Sequence, residues 1–108
     1  MRLDAKINEA SYTLAVKLKG NKDFEKAIGV LANDGVYAFY VFCKCKNIWD
    51  KFSNVLLDMK DFLPEKPDIL DQKYMQNLSA NLSDLLFVKE ILEKMLTYTR
   101  YHLKAMEG

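Results

Sequence analysis

Glycine and proline are scarce in this chain, at four and two of 108 residues. An all-β chain of this length needs a turn about every ten residues, and turns draw heavily on those two residue types. So few of them leave helices as the economical architecture. Histidine is scarcer still, with His102 alone. Nucleophilic catalysis by serine or cysteine needs a neighbouring base, and a single histidine set among apolar helix positions reads as a packing residue. The only cysteines are Cys43 and Cys45. On a helix their spacing turns the thiols about 200° apart, which suits neither a shared metal nor a disulfide. They read as small apolar residues kept reduced. The longest apolar run, Val36 to Cys43, is eight residues, against about 20 for a membrane span. Arg2, Asp4 and Lys6 place charges where a secretory signal needs an apolar stretch, so a cytoplasmic protein is expected.

What is present is an ordinary globular composition. Half of the residues are apolar, enough to close one core without metals or disulfides and too many for a disordered chain. One helical domain over residues 1–108 is expected. The formal net charge of +1 gives the whole molecule no pull toward a polyanion or a membrane surface, so local charge distribution has to decide.

Apolar residues recur at helical spacing along nearly the whole chain. Ile7, Ala10, Leu14 and Leu18 mark an amphipathic helix from Asp4 to Lys19, with Tyr12 and Val16 broadening its face. Gly20 and Asn21 stop it, Asn21 caps a second helix carrying Phe24, Ala27, Ile28 and Leu31, and Asn33, Asp34 and Gly35 form a loop. The run Val36 to Cys43 has strand propensity. With no partner strand elsewhere, a buried helix from Gly35 to about Lys46 leaves fewer backbone groups unpaired. Asn47 then caps a helix to Leu63 with Ile48, Phe52, Val55, Leu56, Met59 and Leu63 inward and Trp49 as an anchor. After the linker Pro64 to Pro67, Asp68 opens a short helix through Ile69, Leu70, Tyr74 and Met75 to Asn77. The near-repeat from Asn77 to Ser83 contains two glycosylation sequons that stay silent without secretion, and its polar residues serve as caps. Ser83 and Asp84 start a long C-terminal helix to Met106. Its stripe of Leu85, Leu92, Thr99 and Met106, with Leu96 and Leu103, is flanked by Val88, Ile91, Met95, Tyr98 and His102. A face that wide belongs to a helix touching several neighbours. The fold class is therefore all-α, a compact bundle of five to six helices.

Chemistry is harder to find. No Gly-rich phosphate loop or cofactor motif is present. The carboxylates Asp58, Asp61, Glu65, Asp68 and Asp71 gather around the linker. A metal-dependent hydrolase built on Asp58, Asp61 and Asp68 would lack a nucleophile, so these residues read as a solvated surface. The basic residues are also clustered. Lys17, Lys19, Lys22 and Lys26 surround the first helix junction, and Lys44, Lys46 and Lys51 the third. Against them stand four acids, Asp23, Glu25, Asp34 and Asp50, a local excess of about three positive charges. Together with Arg100 and Lys104 they form a candidate surface for phosphate backbone, provided that the two junctions share a face.

The order of these features resembles a known family. Asn33-Asp34-Gly35-Val36 leads into the aromatic helix Tyr37-Ala38-Phe39-Tyr40, which ends at Cys43-Lys44. Trp49 opens the next helix, and the terminal helix has the form Leu-x-x-Met-Leu-x-Tyr-x-x-Tyr-x-x-Lys-Ala. That sequence of elements is similar to the small helical subunit of type III-B CRISPR effector complexes, the Cmr complexes, over most of residues 7–106. The chain departs from the family where Asp34 intrudes into an Asn-Gly-Leu-Gly pattern, and where Tyr101 replaces a tryptophan near the C-terminus. The resemblance implies a non-catalytic subunit with no cofactor, stacked head to tail with copies of itself beside other subunits of the complex and along guide RNA and target RNA. The alternative is a helical protein-protein module without nucleic-acid binding, such as the small subunit of another CRISPR class or a virus-encoded inhibitor.

Overall fold

The spacing of apolar residues by three and four builds α1, Leu3–Leu18, in which Ile7, Ala10, Leu14 and Leu18 are buried. The structure, a computed structural model, describes residues 2–107. Five more helices follow: α2 Phe24–Asp34, α3 Val36–Cys45, α4 Trp49–Leu57, α5 Gln72–Ser79 and α6 Leu82–Glu107. A 3-10 turn at Lys60–Phe62 separates α4 from α5, and no strand occurs among the described residues. The all-α bundle with a long C-terminal helix is thus the observed fold. All six helices contribute to one buried apolar cluster.

The aromatic run folds as α3, despite its strand propensity. Phe39 is fully buried, with the Phe52 ring 5.1 Å away and the Trp49 ring 6.3 Å away, both edge-on. Tyr40 meets Trp49 edge-on at 4.9 Å. The Trp49 indole N–H, taken out of water, donates to the Leu70 carbonyl at 3.0 Å and so fixes the segment before α5.

Several boundaries differ from the sequence expectation, each for a local reason. Asn33 and Asp34 continue α2, and Gly35 alone, at φ 93° and ψ −174°, joins it to α3. Asn47 does not cap α4. At φ 60° it ends α3, with its N–H on Lys44 O and the Ile48 N–H on Cys43 O, the Schellman arrangement that asparagine tolerates. Helix α4 stops at Leu57, and the chain continues through i to i+3 bonds to Leu63, which Pro64 holds extended (φ −87°, ψ 148°). Those tighter turns still bury Met59 and Leu63. The α5 cap is Asp71, which accepts from the Tyr74 N–H at 3.0 Å, so Asp68 lies outside the helix. Likewise Asn81, not Ser83, caps α6 by accepting from the Asp84 N–H.

Helix α6 has 26 residues, about 39 Å at 1.5 Å each, which matches the longest dimension of the bundle, 41 Å. It packs most extensively on α1. Ser11 meets Thr99, and Leu18 shares a cleft with Leu103, so the two helices run in the same direction. Small residues set the contact. Ser11 and Ala15 are fully buried, and the Thr99 hydroxyl bonds the Met95 carbonyl at 2.7 Å and the Ser11 carbonyl at 3.2 Å. With that seam filled, neighbouring positions expected in the core fall outside it. Tyr12 is 54% exposed, Val16 55% and Tyr98 43%, while His102 is half-buried with its ring edge-on to Tyr12 at 5.5 Å.

The two cysteines occupy opposite environments. Cys43 is buried in the core and Cys45 is exposed. Burial pushes the Cys43 thiol up to about 12. A thiolate is the reactive form, so native protein in excess maleimide near neutral pH is expected to take one label, on Cys45. Two labels are expected in denaturant. Mass spectrometry of the intact chain checks this, and rapid double labelling of native protein would count against the packing of α3.

Candidate nucleic-acid interface

Where α1 ends, Gly20 at φ 80° lets the Asn21 N–H return to the Leu18 carbonyl, and the Asn21 side chain accepts from the Asp23 N–H at 2.8 Å. Asn21 thus organises the turn one step ahead of the α2 start and does not act as its N-cap. The reversal takes the chain from α1 to α2 in five residues, Lys19 to Asp23. It leaves Lys17, Lys19, Lys22 and Lys26 exposed around one end of the bundle. The same end receives the last turns of α6. Leu18 and Phe24 form the apolar floor of a cleft of about 340 Å³ whose walls include Glu25, Arg100, Lys104 and Glu107. Residues at both ends of the sequence are therefore brought together here. Lys104 also lies in the last turn of α6, where a cation complements the helix dipole.

Among the described residues Arg100 is the one basic residue at this end with a carboxylate partner. Its Nε donates to Glu25 Oε1 at 3.2 Å and its Nη2 to Glu25 Oε2 at 2.7 Å. Among the described residues, Lys17, Lys19, Lys22, Lys26 and Lys104 stand in no ion pair. In the sequence Glu25 counts only as one of four acids among the lysines, because its partner lies 75 positions away and no local pattern links them.

The second lysine group is elsewhere. Lys44 and Lys46 flank the end of α3, with the Lys46 ammonium 5.8 Å from the Phe42 ring centroid, and Lys51 is half-buried on α4. None of the three is in an ion pair among the described residues. Trp49, next to them, lines an apolar seam with Leu70, Met75, Val88 and Leu92. Those α6 residues precede Arg100 and Lys104 by 12 positions, about 18 Å along the helix. The two junctions therefore meet α6 roughly three turns apart.

Two carboxylates lie toward the opposite end of α6. Glu65 and Asp84 line a cleft of about 380 Å³ with Tyr74, Asn77 and Asn81 at the start of that helix. The turn above it carries Glu65 and Lys66 at φ 67° and 44°. The Tyr74 hydroxyl bonds the Pro64 carbonyl at 2.9 Å, and burial pushes it up to about 12. Asp68 is bound by the Lys60 ammonium at 2.7 Å, a hydrogen bond that holds its carboxyl below the ordinary carboxylate range. Asp58 lines a separate cleft with Lys6 and Glu9. Among the described residues no group of three or more His, Cys, Asp or Glu side chains is placed to hold a metal ion. None of the described helices is long and apolar enough to cross a membrane.

No protein-family model, curated protein or solved structure matches the chain.

Proposed function

We propose that this protein is a non-catalytic small subunit of a cytoplasmic CRISPR ribonucleoprotein effector of the Cmr type, serving antiviral defence. In this reading it contacts the phosphate backbone of guide and target RNA and stacks on copies of itself and on other subunits. The observation that carries it is the separation of charge along α6. Lys17, Lys19, Lys22, Lys26 and Lys104, in no ion pair among the described residues, surround its end, while Glu65 and Asp84 share a cleft at its start. The order of elements from the Asn33 turn through the aromatic α3 to the tyrosines of α6 adds the family context.

The chemistry follows from those charges. Lysine ammonium groups bind phosphate without reading bases, which leaves sequence recognition to the pairing of guide and target. Opposite charges on opposite ends make a heterologous contact, the kind that repeats along a filament instead of closing into a dimer.

A second reading is favoured by exposed Tyr12, Val16, Tyr98 and Tyr101 on α1 and α6. They supply apolar area for a partner protein and fit an adaptor that binds no nucleic acid.

Fluorescence anisotropy with single-stranded and duplex RNA over a salt series separates the two. The wild-type chain is expected to bind at about 50 mM salt, and Lys17→Glu, Lys22→Glu and Lys26→Glu combined to cut affinity at least about tenfold and flatten the salt slope by roughly 2. Absence of binding at low salt, or full retention by the triple variant, sinks the RNA reading and leaves the adaptor.

A further inference from the structure

We propose that Glu25 is a built-in competitor for phosphate at Arg100: it occupies the guanidinium fork at the mouth of the basic cleft, and a phosphate group displaces it. The inference rests on the phosphate-binding reading above and deepens it. Three features carry it. The pair is bidentate, with both carboxylate oxygens engaged by Nε and Nη2 of one guanidinium, and a phosphate presents two oxygens to the same fork. Both partners are open to solvent, at 37% and 65% side-chain exposure, so salt screens the pair and a phosphate can reach the guanidinium. The cleft behind it has room, about 340 Å³, and a second cation in Lys104 that pairs with no carboxylate among the described residues.

The consequence is that the Glu25 carboxylate limits what Arg100 contributes to phosphate binding. In the wild-type chain Arg100 is already neutralised, so a phosphate gains at Arg100 only what Glu25 gives up. Removing Arg100 alone takes away that small gain and leaves the Glu25 carboxylate unpaired in the cleft, so it weakens binding modestly. Removing the carboxylate of Glu25 frees the fork and adds one phosphate contact. Glu107 provides the control, because it lines the same cleft and carries the same charge but pairs with no cation among the described residues.

The test is a cycle of Glu25→Gln, Arg100→Ala and the double variant, with Glu107→Gln alongside, read by RNA anisotropy against salt. Glu25→Gln is expected to tighten binding and steepen the slope of log affinity against log salt by about 0.7 to 0.9, the contribution of one phosphate contact. Arg100→Ala alone weakens binding modestly with a slope no steeper than that of the wild type, and the double variant loses the gain. Equal effects of Glu25→Gln and Glu107→Gln, or a gain that survives Arg100→Ala, overturn the proposal. A second arm uses inorganic pyrophosphate and the NMR signal of the Arg100 Nε–H. In Glu25→Gln that signal is expected to shift at a lower pyrophosphate concentration than in wild type, and identical titrations overturn the competition. Failure of every chain to bind RNA at low salt counts against the RNA reading alone, since the pyrophosphate arm still decides the competition.

Discussion

Phe39→Ala is expected to lower the unfolding free energy by about 3 to 5 kcal/mol. Phe39 has no exposed surface and sits between the Trp49 and Phe52 rings, each edge-on to it. Its removal takes away the transfer free energy of a phenyl ring and opens a cavity. Rigid aromatic walls collapse poorly into such a space, which favours the upper part of the range. A domain of this size has about 5 to 15 kcal/mol in total, so the variant loses a large share of its stability. Urea denaturation followed by circular dichroism measures the loss. Tyr101→Ala, at a position 61% exposed, is the control and should change the unfolding free energy by no more than about 0.5 kcal/mol. If the two variants melted alike, the three-ring cluster would not be the centre of the fold.

Two glycines are expected to respond to alanine with opposite sign. Gly35 holds φ 93° and ψ −174°, a region open almost only to glycine, where a side chain costs about 1 to 3 kcal/mol. A Cβ there would meet nothing within 4 Å, so the cost comes from the backbone itself and no repacking relieves it. Gly29 lies inside α2, and a Cβ there also meets nothing within 4 Å. In ordinary helical conformation alanine is favoured over glycine by about 0.5 to 1 kcal/mol. Gly29→Ala should therefore raise the melting temperature and Gly35→Ala lower it. Destabilisation by both would point to crowding that the open space at these positions does not allow.

The existence of the helices was legible in the sequence because burial enforces a period. Ile7, Leu14 and Leu18 on α1, and Val88, Leu92 and Met95 on α6, are buried as their spacing requires. Helix ends were less legible, because one residue type serves several purposes. Asparagine caps helix starts and also tolerates the left-handed region, and only the Cys43 and Lys44 carbonyls reaching toward it make Asn47 a terminator of α3. Asn33 and Asp34 look like turn residues, yet Gly35 alone absorbs the reversal. Width of the buried face was misjudged at Tyr12, Val16 and Tyr98, where spacing gives the direction of a side chain but not how closely the neighbouring helix approaches. At the candidate interface the lysine clusters were visible as local runs. The link between Arg100 and Glu25 was not, since it depends on where α6 crosses the start of α2.

The seam between α1 and α6 joins residues 88 positions apart at Ser11 and Thr99. Most helical bundles assemble from neighbouring segments and fold quickly, but a core that needs this closure carries a longer loop to fix before it gains anything. During synthesis, at about 5 to 20 residues per second, the apolar stripe of α1 waits roughly 5 to 20 seconds for its main partner. The small Ser11, Ala15 and Thr99 that let the two helices sit so close thus also set when folding can finish, and until α6 emerges the nascent chain is a client for whatever shields apolar helices at the ribosome.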